Sequence, residues 1–384
     1  MSKSVLPPKP AAASSTLAAE WRAKLFALGV GTLVAILLAE IVLRNYNPIP
    51  LPLRGLQIVL PNNKQFVFDN HGTNSKLDRQ VIVTANNLGF RGPNPPTDAN
   101  SSLRIIAVGG STTMCVALSD DKTWPARLDA RLNASLRKHI WLNNAGLDGH
   151  STFGHMRLLE QFVLDLQPDY VLLLVGINDV GRGDLNEFDW TMELASQSSF
   201  RRAVAKSHFL STVQVIWRTW RAFDLGVGHL WELDLRTNAS TTIDEDAINK
   251  VLTEHRRQYL PGYEARLERL VFMMRQRAIE PVLITQPAMY GETVDPETGI
   301  EIGPLVFGDK TAAQRWRELK LYNEATIRVG KAQGVLVIDL AGKLPKDSRL
   351  FYDWTHYTNG GAELVAEIVA AELVPFLARR DAAK

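Results

Sequence analysis

Short runs of apolar residues recur along the chain from residue 103 onward, and each run is bounded by Gly, Pro, Asn or Asp. The runs cover residues 103–108, 141–144, 170–175, 281–285 and 335–340. Apolar runs of this length are typical of strands that are buried on both faces of a sheet. We therefore predict five core strands.

Amphipathic helix patterns separate these strands. The first has Thr123 as a candidate N-cap and Pro125 in its first turn. Its apolar residues recur every four positions, at Trp124, Leu128, Leu132 and Leu136. A second helix is predicted over residues 263–274, and a last helix is predicted to begin at the N-cap Asn359 and to end at Pro375. This alternation predicts an α/β fold, with a parallel sheet covered by helices on both faces.

The N-terminal part of the chain has a different pattern. Residues 25–43 are apolar except for Glu40, a length that just crosses a bilayer core. Arg22 and Lys24 precede this stretch, and this bias favours a cytoplasmic N-terminus. We expect an uncleaved signal anchor that places the rest of the chain outside the cytoplasm. A cleaved signal peptide and a buried or surface helix are the alternatives.

These patterns divide the chain into segments. We predict a disordered tail over residues 1–21, a transmembrane anchor over 22–44 and an extended arm over 45–100. Short strands are expected in the arm at residues 65–68 and 80–83. The α/β domain is predicted to cover residues 101–384.

Residues 181–245 interrupt the alternation between the third and fourth core strands. They carry four of the nine tryptophans, namely Trp190, Trp217, Trp220 and Trp231. We predict a partly helical cap over the functional site that sets substrate choice. The alternative is an insertion that packs on the flank of the domain.

Composition and charge exclude several kinds of partner and site. The 43 Lys and Arg nearly balance the 41 Asp and Glu, so no strong basic field indicates a nucleic-acid partner. Cys115 is the single cysteine, which excludes an internal disulfide and any Cys-x-x-Cys site. His150 and His155 are five residues apart and do not share a helix face, so no metal is expected.

Three short motifs directly follow predicted strands. Gly109-Gly110-Ser111-Thr112 follows the first, Asn144-Ala145-Gly146-Leu147-Asp148-Gly149 the second, and Gly176-Ile177-Asn178-Asp179 the third. Ligands of open parallel sheets bind beyond the carboxyl ends of the strands, where these motifs lie. Ser111 is a candidate nucleophile there, and Asn178 with either Gly146 or Gly149 is a candidate oxyanion donor. Taken alone, Gly149 and Asn178 are more commonly turn residues, and the Ser111 motif is also compatible with an anion-binding turn or a helix N-cap.

A fourth motif, Asp353-Trp354-Thr355-His356, precedes the last helix. A carboxylate three residues from an imidazole can fix its tautomer and stabilise its protonated form. His356 is therefore a candidate base, and Asp353 a candidate orienting acid.

The order of the four motifs resembles that of the SGNH (GDSL) hydrolase superfamily over about residues 103–375. The resemblance implies a flavodoxin-like three-layer sandwich with a five-stranded parallel sheet, and a Ser111–His356–Asp353 triad. It also implies an oxyanion hole of Ser111 N–H, Gly149 N–H and Asn178, with no cofactor. Gly149 is favoured over Gly146 because Gly-His-Ser-Thr at 149–152 matches the superfamily. The first motif reads Gly-Gly-Ser-Thr where the superfamily has Gly-Asp-Ser-Leu. This difference concerns the subfamily that the chain resembles more than its catalytic competence. Residues 87–93 resemble a segment found upstream of the nucleophile in membrane-anchored members.

We expect a serine esterase that acts on an O-acyl or O-acetyl group of a glycan or lipid. Its expected location is the inner membrane, with a single span and the catalytic domain on the periplasmic side. Two rivals are an O-acyltransferase that modifies an envelope or exported polysaccharide, and a catalytically silent anchored scaffold or glycan-binding module.

Overall fold

A computed structural model describes residues 13–46, 53–54, 57–98, 101–183, 207–213, 216–217 and 232–382. Five parallel strands form its central sheet in the order β11-β8-β7-β5-β6. Their bounds are β5 Leu103–Gly109, β6 Ile140–Asn144, β7 Tyr170–Val175, β8 Glu280–Thr285 and β11 Leu336–Ile338. Counted along the chain from the β6 edge, the order is second, first, third, fourth and fifth, which is the flavodoxin-like order. The predicted fold class is confirmed.

Helices cover both faces of this sheet. They are α1 Ala13–Asn45, α2 Ser111–Met114, α3 Trp124–Ser135, α4 Thr152–Leu158, α5 Glu245–Glu254, α6 Leu260–Arg275, α7 Ala312–Gln333, α8 Leu340–Lys343 and α9 Asn359–Ala382. Helices α3 and α9 share a core with Ile105, while α6 and α7 share a second core with the next residue, Ile106. Since successive side chains of a strand point to opposite faces, the two cores are the two faces of the sheet.

The predicted helix ends are partly correct. Thr123 caps α3 as expected, because its side chain accepts a hydrogen bond from Ala126 N. The expected end of the last helix at Pro375 is wrong, since α9 runs through this proline to Ala382. A proline inside a helix removes one backbone hydrogen bond. Leu373 and Leu377 on either side of it are buried, and their packing offsets that loss. Thr358 Oγ1 accepts from Gly361 N, so the cap lies one residue before Asn359.

The arm contains a hairpin of β3 Lys64–Asp69 and β4 Gln80–Ala85, which include the two predicted short strands. An isolated two-residue pair, β1 Leu53–Arg54 with β2 Gln57–Ile58, precedes it. A second such pair, β9 Val306–Phe307 with β10 Lys310–Thr311, precedes α7. Leu60 and Phe90 of the arm are buried in the core that contains α6 and α7. The arm is thus packed against the α/β domain.

Helix α1 includes one segment, Glu20–Asn45, that is long and apolar enough to cross a membrane. The helix begins at Ala13, so it includes the end of the segment predicted as a tail. Its Glu40 carboxylate accepts hydrogen bonds from Ser207 Oγ at 2.8 Å, His208 N at 3.0 Å and Phe209 N at 2.9 Å. It therefore caps a short helical segment, residues 208–213, which belongs to the insertion.

Other parts of the insertion lie elsewhere. Leu233 and Leu235 are buried, and Leu233 N donates to Tyr352 O at 2.7 Å. The C-terminal end of the insertion therefore touches the loop that carries Asp353. Trp190, Trp220 and Trp231 lie outside the described residues.

Candidate active site

Ser111 is the first residue of α2, directly after β5 and Gly110. The neighbouring strand β7 leads to Asn178, so both residues lie where the strand order of the sheet reverses. This crevice is where doubly wound sheets bind their ligands. Ser111 Oγ lies 2.8 Å from His356 Nε2.

The loop between α8 and α9 holds His356 and Asp353. His356 Nδ1 lies 2.7 Å from Asp353 Oδ2. The other carboxylate oxygen, Asp353 Oδ1, accepts from His356 N at 2.7 Å and from Thr355 N at 2.8 Å. A carboxylate bonded at Nδ1 favours the tautomer with the proton on Nδ1, which leaves Nε2 to accept from the serine hydroxyl.

Burial raises the pKa of the Asp353 carboxyl, but its imidazole partner and the two backbone donors outweigh burial and hold the pKa below the ordinary value. Asp353 is therefore a carboxylate over the neutral pH range. The Tyr352 ring stacks beside the His356 ring with centroids 5.6 Å apart, which limits rotation of the imidazole.

Asn178 lies in a 3-10 turn over Ile177–Asp179. Its Nδ2 donates to His150 O at 3.0 Å, which uses one of the two amide hydrogens and leaves the other. Gly149 precedes His150 and has φ of 68°, a conformation that favours glycine. A Cβ at Gly110 would lie 2.5 Å from Asn178 Nδ2, so the glycine lets the amide approach the turn that carries Ser111. The structure thus brings the Ser111 turn, Asn178 and the Gly149-His150 turn together.

Gly146, the competing candidate donor, has a different role. Its N–H already donates to Asn144 Oδ1 at 2.9 Å, and a Cβ there would lie 2.3 Å from Met114 N. Gly146 is therefore a close-packing position, and Gly149 is the remaining candidate of the two.

The buried hydrogen-bond partners of Asp179 could not be recognised from the sequence. This carboxylate is only 1% exposed; it accepts from Thr152 N and Oγ1, and Arg266 Nη2 lies 3.2 Å away. These bonds join the Asn178 turn to the start of α4, which follows Gly149. The only local signal was an arginine among the apolar residues of α6, and its partners are distant in the sequence.

The remaining candidates are buried packing residues. Burial, with a smaller effect of His150, lowers the pKa of His155 to about 3, so its imidazole is neutral. Burial raises the pKa of the Cys115 thiol to about 12. Within the described part of the chain, no three His, Cys, Asp or Glu side chains are grouped as a metal site.

Comparison with known proteins gives one family match. The model of the GDSL-like Lipase/Acylhydrolase family matches residues 107–364, which include all four motifs. Among curated protein sequences, none matches the chain.

Three solved structures illustrate what this chain is similar to. LAE5, an alpha/beta hydrolase enzyme from the metagenome of Lake Arreo, is 18% identical, with 71% of this chain and 95% of that chain covered and a TM-score of 0.41. Axe2, an acetylxylan esterase from Geobacillus stearothermophilus, is 18% identical, with 71% and 94% covered and a TM-score of 0.41. A putative lipolytic protein of the G-D-S-L family from Desulfitobacterium hafniense is 14% identical, with 70% and 99% covered and a TM-score of 0.39.

Proposed function

Since the chain belongs to the GDSL-like lipase/acylhydrolase family and is a carboxylic ester hydrolase, we propose that Ser111 is its nucleophile and His356 its base. Asp353 orients this base. The observation that supports the proposal is the chain of two hydrogen bonds, 2.7 Å from Asp353 to His356 and 2.8 Å from His356 to Ser111. Activated serine nucleophiles have their base within this range, and the base is held by a third group.

Acylation follows from this geometry. Ser111 Oγ attacks the ester carbonyl carbon as its proton passes to His356 Nε2, and the Asp353 carboxylate stabilises the imidazolium. His356 then protonates the leaving alkoxide, and the bond between the acyl carbon and the alcohol oxygen breaks. In the second half, water attacks the acyl carbon as His356 Nε2 takes its proton. The bond between the acyl carbon and Ser111 Oγ then breaks, His356 returns the proton to this oxygen, and the carboxylic acid leaves.

The oxyanion of each tetrahedral intermediate requires fixed donors. We assign them to the N–H groups of Ser111 and Gly149 and to the Asn178 side-chain amide. Ser111 begins α2, and the first amides of a helix have no partner within that helix. Loss of one donor in such a site typically costs about 2.7–4 kcal/mol of barrier.

The proposed substrate is an O-acyl or O-acetyl ester of a glycan or lipid outside the cytoplasm. Two features support this location: the apolar segment Glu20–Asn45 and the Arg22 and Lys24 that precede its apolar core. An insertion beside the catalytic loop, through Leu233 and Tyr352, supports a site shaped for a substrate larger than a simple ester.

A fluorophosphonate probe tests the nucleophile. The full-length protein in detergent is expected to be labelled at Ser111, and Ser111→Ala is expected to remain unlabelled. Absence of labelling in the folded wild-type protein would contradict the proposal and favour a silent scaffold. Product analysis with an acetylated oligosaccharide then separates hydrolysis, which releases acetate, from transfer, which requires an acceptor hydroxyl.

A further inference from the structure

Arg91 belongs to the arm, within the segment 87–93, and precedes the region that matches the family model, residues 107–364. Its backbone forms an antiparallel bridge with the end of β6. Arg91 N donates to Asn144 O at 3.0 Å, and Asn144 N donates to Arg91 O at 2.8 Å. Only 7% of Arg91 is exposed, so its charge must be satisfied by buried partners.

Those partners are the backbone oxygens that follow the nucleophile. Arg91 Nη1 donates to two of them, Met114 O and Cys115 O, each at 2.8 Å. Nη2 donates to a third, Leu118 O, at 2.8 Å. Asp120 Oδ1 lies 3.0 Å from Nε and 2.9 Å from Nη2, and this ion pair fixes the plane of the guanidinium.

These carbonyls matter because α2 has only four residues and starts at Ser111. The last carbonyls of a helix have no partner within it, so a helix of one turn depends on outside donors. Cys115, which ends α2, has φ of 51°, a left-handed conformation that is uncommon for a residue other than glycine. Arg91 bonds the carbonyl oxygens on both sides of this bend, at Met114 and Cys115.

Asn144 extends the same contact toward the oxyanion loop. Its Nδ2 donates to Thr113 O at 2.7 Å, and its Oδ1 accepts from Gly146 N. The backbone bridge between Arg91 and Asn144 thus connects the end of α2 with the start of the loop that leads to Gly149.

A second cation of the arm, the partly buried Lys76, reaches the base side of the site. Lys76 Nζ donates to Ser348 O at 3.0 Å and to Leu233 O at 2.8 Å. Ser348 lies in the loop that leads to Asp353. The arm therefore supplies positive charge to the backbone on both sides of the Ser111–His356 bond.

We propose that Arg91 is a positioning residue: it holds the one-turn helix α2 so that Ser111 Oγ meets His356 Nε2. The proposal rests on Ser111 being the nucleophile. It means that the region matched by the family model is catalytically incomplete in this chain without the arm. Because a displacement of about 1 Å can cost about 100-fold in rate, a small shift of α2 has a large effect.

The test compares Arg91→Lys with Arg79→Lys in the full-length protein. Arg79 belongs to the same arm and is exposed. The measured quantities are the fluorophosphonate labelling rate constant, the fraction of molecules labelled at completion, and kcat and KM for a p-nitrophenyl ester. A lysine keeps the charge but lacks the planar fork that bonds several carbonyls at once.

We expect Arg91→Lys to lower the labelling rate constant and kcat about tenfold or more, with KM and the labelled fraction close to those of Arg79→Lys. A merely structural role would lower the labelled fraction and leave the rate constant of the labelled molecules unchanged. That result, or a wild-type rate constant, overturns the proposal. If Arg91→Lys does not fold, Asp120→Ala, which frees the guanidinium plane, is expected to slow labelling about threefold, and a wild-type rate there also overturns it. Failure to label the wild-type protein would instead contradict Ser111 as the nucleophile.

Discussion

Ser111, His356 and Asp353 are joined by two short hydrogen bonds, and the loss of either end of this chain should stop the reaction. We predict that Ser111→Ala and His356→Ala each lower turnover of p-nitrophenyl acetate by about three orders of magnitude or more, because triad members act as a unit. Steady-state kinetics measures the loss, and circular dichroism shows that the variants are folded. Near-normal turnover in either folded variant contradicts the mechanism.

The close approach of Gly110 and Asn178 allows a test of Asn178 as the proposed oxyanion donor. A Cβ at this position would lie 2.5 Å from Asn178 Nδ2, so Gly110→Ala should displace the amide and lower kcat about 100-fold. Gly303→Ala is a matched control, because the nearest atom to its Cβ would lie 3.5 Å away. The kcat values of the two variants are compared at equal thermal stability. Equal kcat values would show that Asn178 does not act as a donor.

A site residue can be predicted from the sequence only when the pattern that identifies it lies in neighbouring residues. Ser111 and Asn178 could be placed because each directly follows a buried apolar strand. Asp353 and His356 could be paired because they share one loop. Arg91 and Arg266 could not be assigned, since their partners are recognised only after distant segments come together. Their signal in the sequence is a charged residue in otherwise buried surroundings.

At the scale of elements, the Asp129 carboxyl group of α3 bonds to the backbone of β6, and burial disfavours its ionised form. Leu142 N donates to Asp129 Oδ1 at 3.1 Å, and burial raises the pKa of Asp129 to about 6 despite this bond. The folded state therefore binds this proton more tightly than the unfolded state, whose aspartate pKa is about 3.9. The group's stabilising contribution is complete below about pH 4 and is lost as the pH rises through about 6.

We therefore predict that Asp129→Asn raises Tm by about 2–4 °C at pH 8 and has little effect at pH 4, because an amide resembles the protonated carboxyl. Thermal unfolding followed by circular dichroism measures this. Asp121→Asn, at an exposed position just before α3, is the control. A shift of the same size at both pH values would show that the effect is not one of protonation.

The insertion makes a second prediction at the scale of elements. Trp217 is 51% exposed, and the described insertion residues touch both α1 and the loop that carries Asp353. If the insertion caps the site, Trp217→Ala should change the relative rates among long and short acyl esters more than the rate on the acetyl ester. Trp220→Ala is expected to do the same.

Phe272→Ala is the control, because Phe272 is also 51% exposed but lies on α6. Unchanged substrate ranking in both tryptophan variants would indicate a structural insertion on the flank of the domain.

The bounds of the strands and helices show where prediction from local sequence patterns succeeds and where it fails. Core strands were predicted within a few residues because burial on both faces leaves an uninterrupted apolar run. Helix α9 was cut short at Pro375 because local propensity was given priority over the packing of Leu373 and Leu377. Helix propensity mispredicts the end of a helix where several buried side chains depend on the continuation of that helix.

At the scale of the whole molecule, we predict the side of the membrane on which the α/β domain lies. With Arg22 and Lys24 on the cytoplasmic side of the apolar segment, the catalytic domain should lie outside the cytoplasm. A C-terminal alkaline phosphatase fusion is expected to be active in a bacterial host, and the same fusion lacking residues 20–45 inactive. An inactive full-length fusion, together with a fluorescent C-terminal green fluorescent protein fusion, would show the reverse topology.

The bonds from Glu40 to Ser207, His208 and Phe209 have a consequence for how such an enzyme would search for its substrate. Glu40 lies five residues from the end of α1, about 7.5 Å along the helix axis. When α1 lies in a bilayer, residues 207–209 are therefore held at the level of the lipid headgroups. The enzyme then searches in two dimensions, and its turnover follows the surface density of ester groups at the membrane more closely than their concentration in bulk solution.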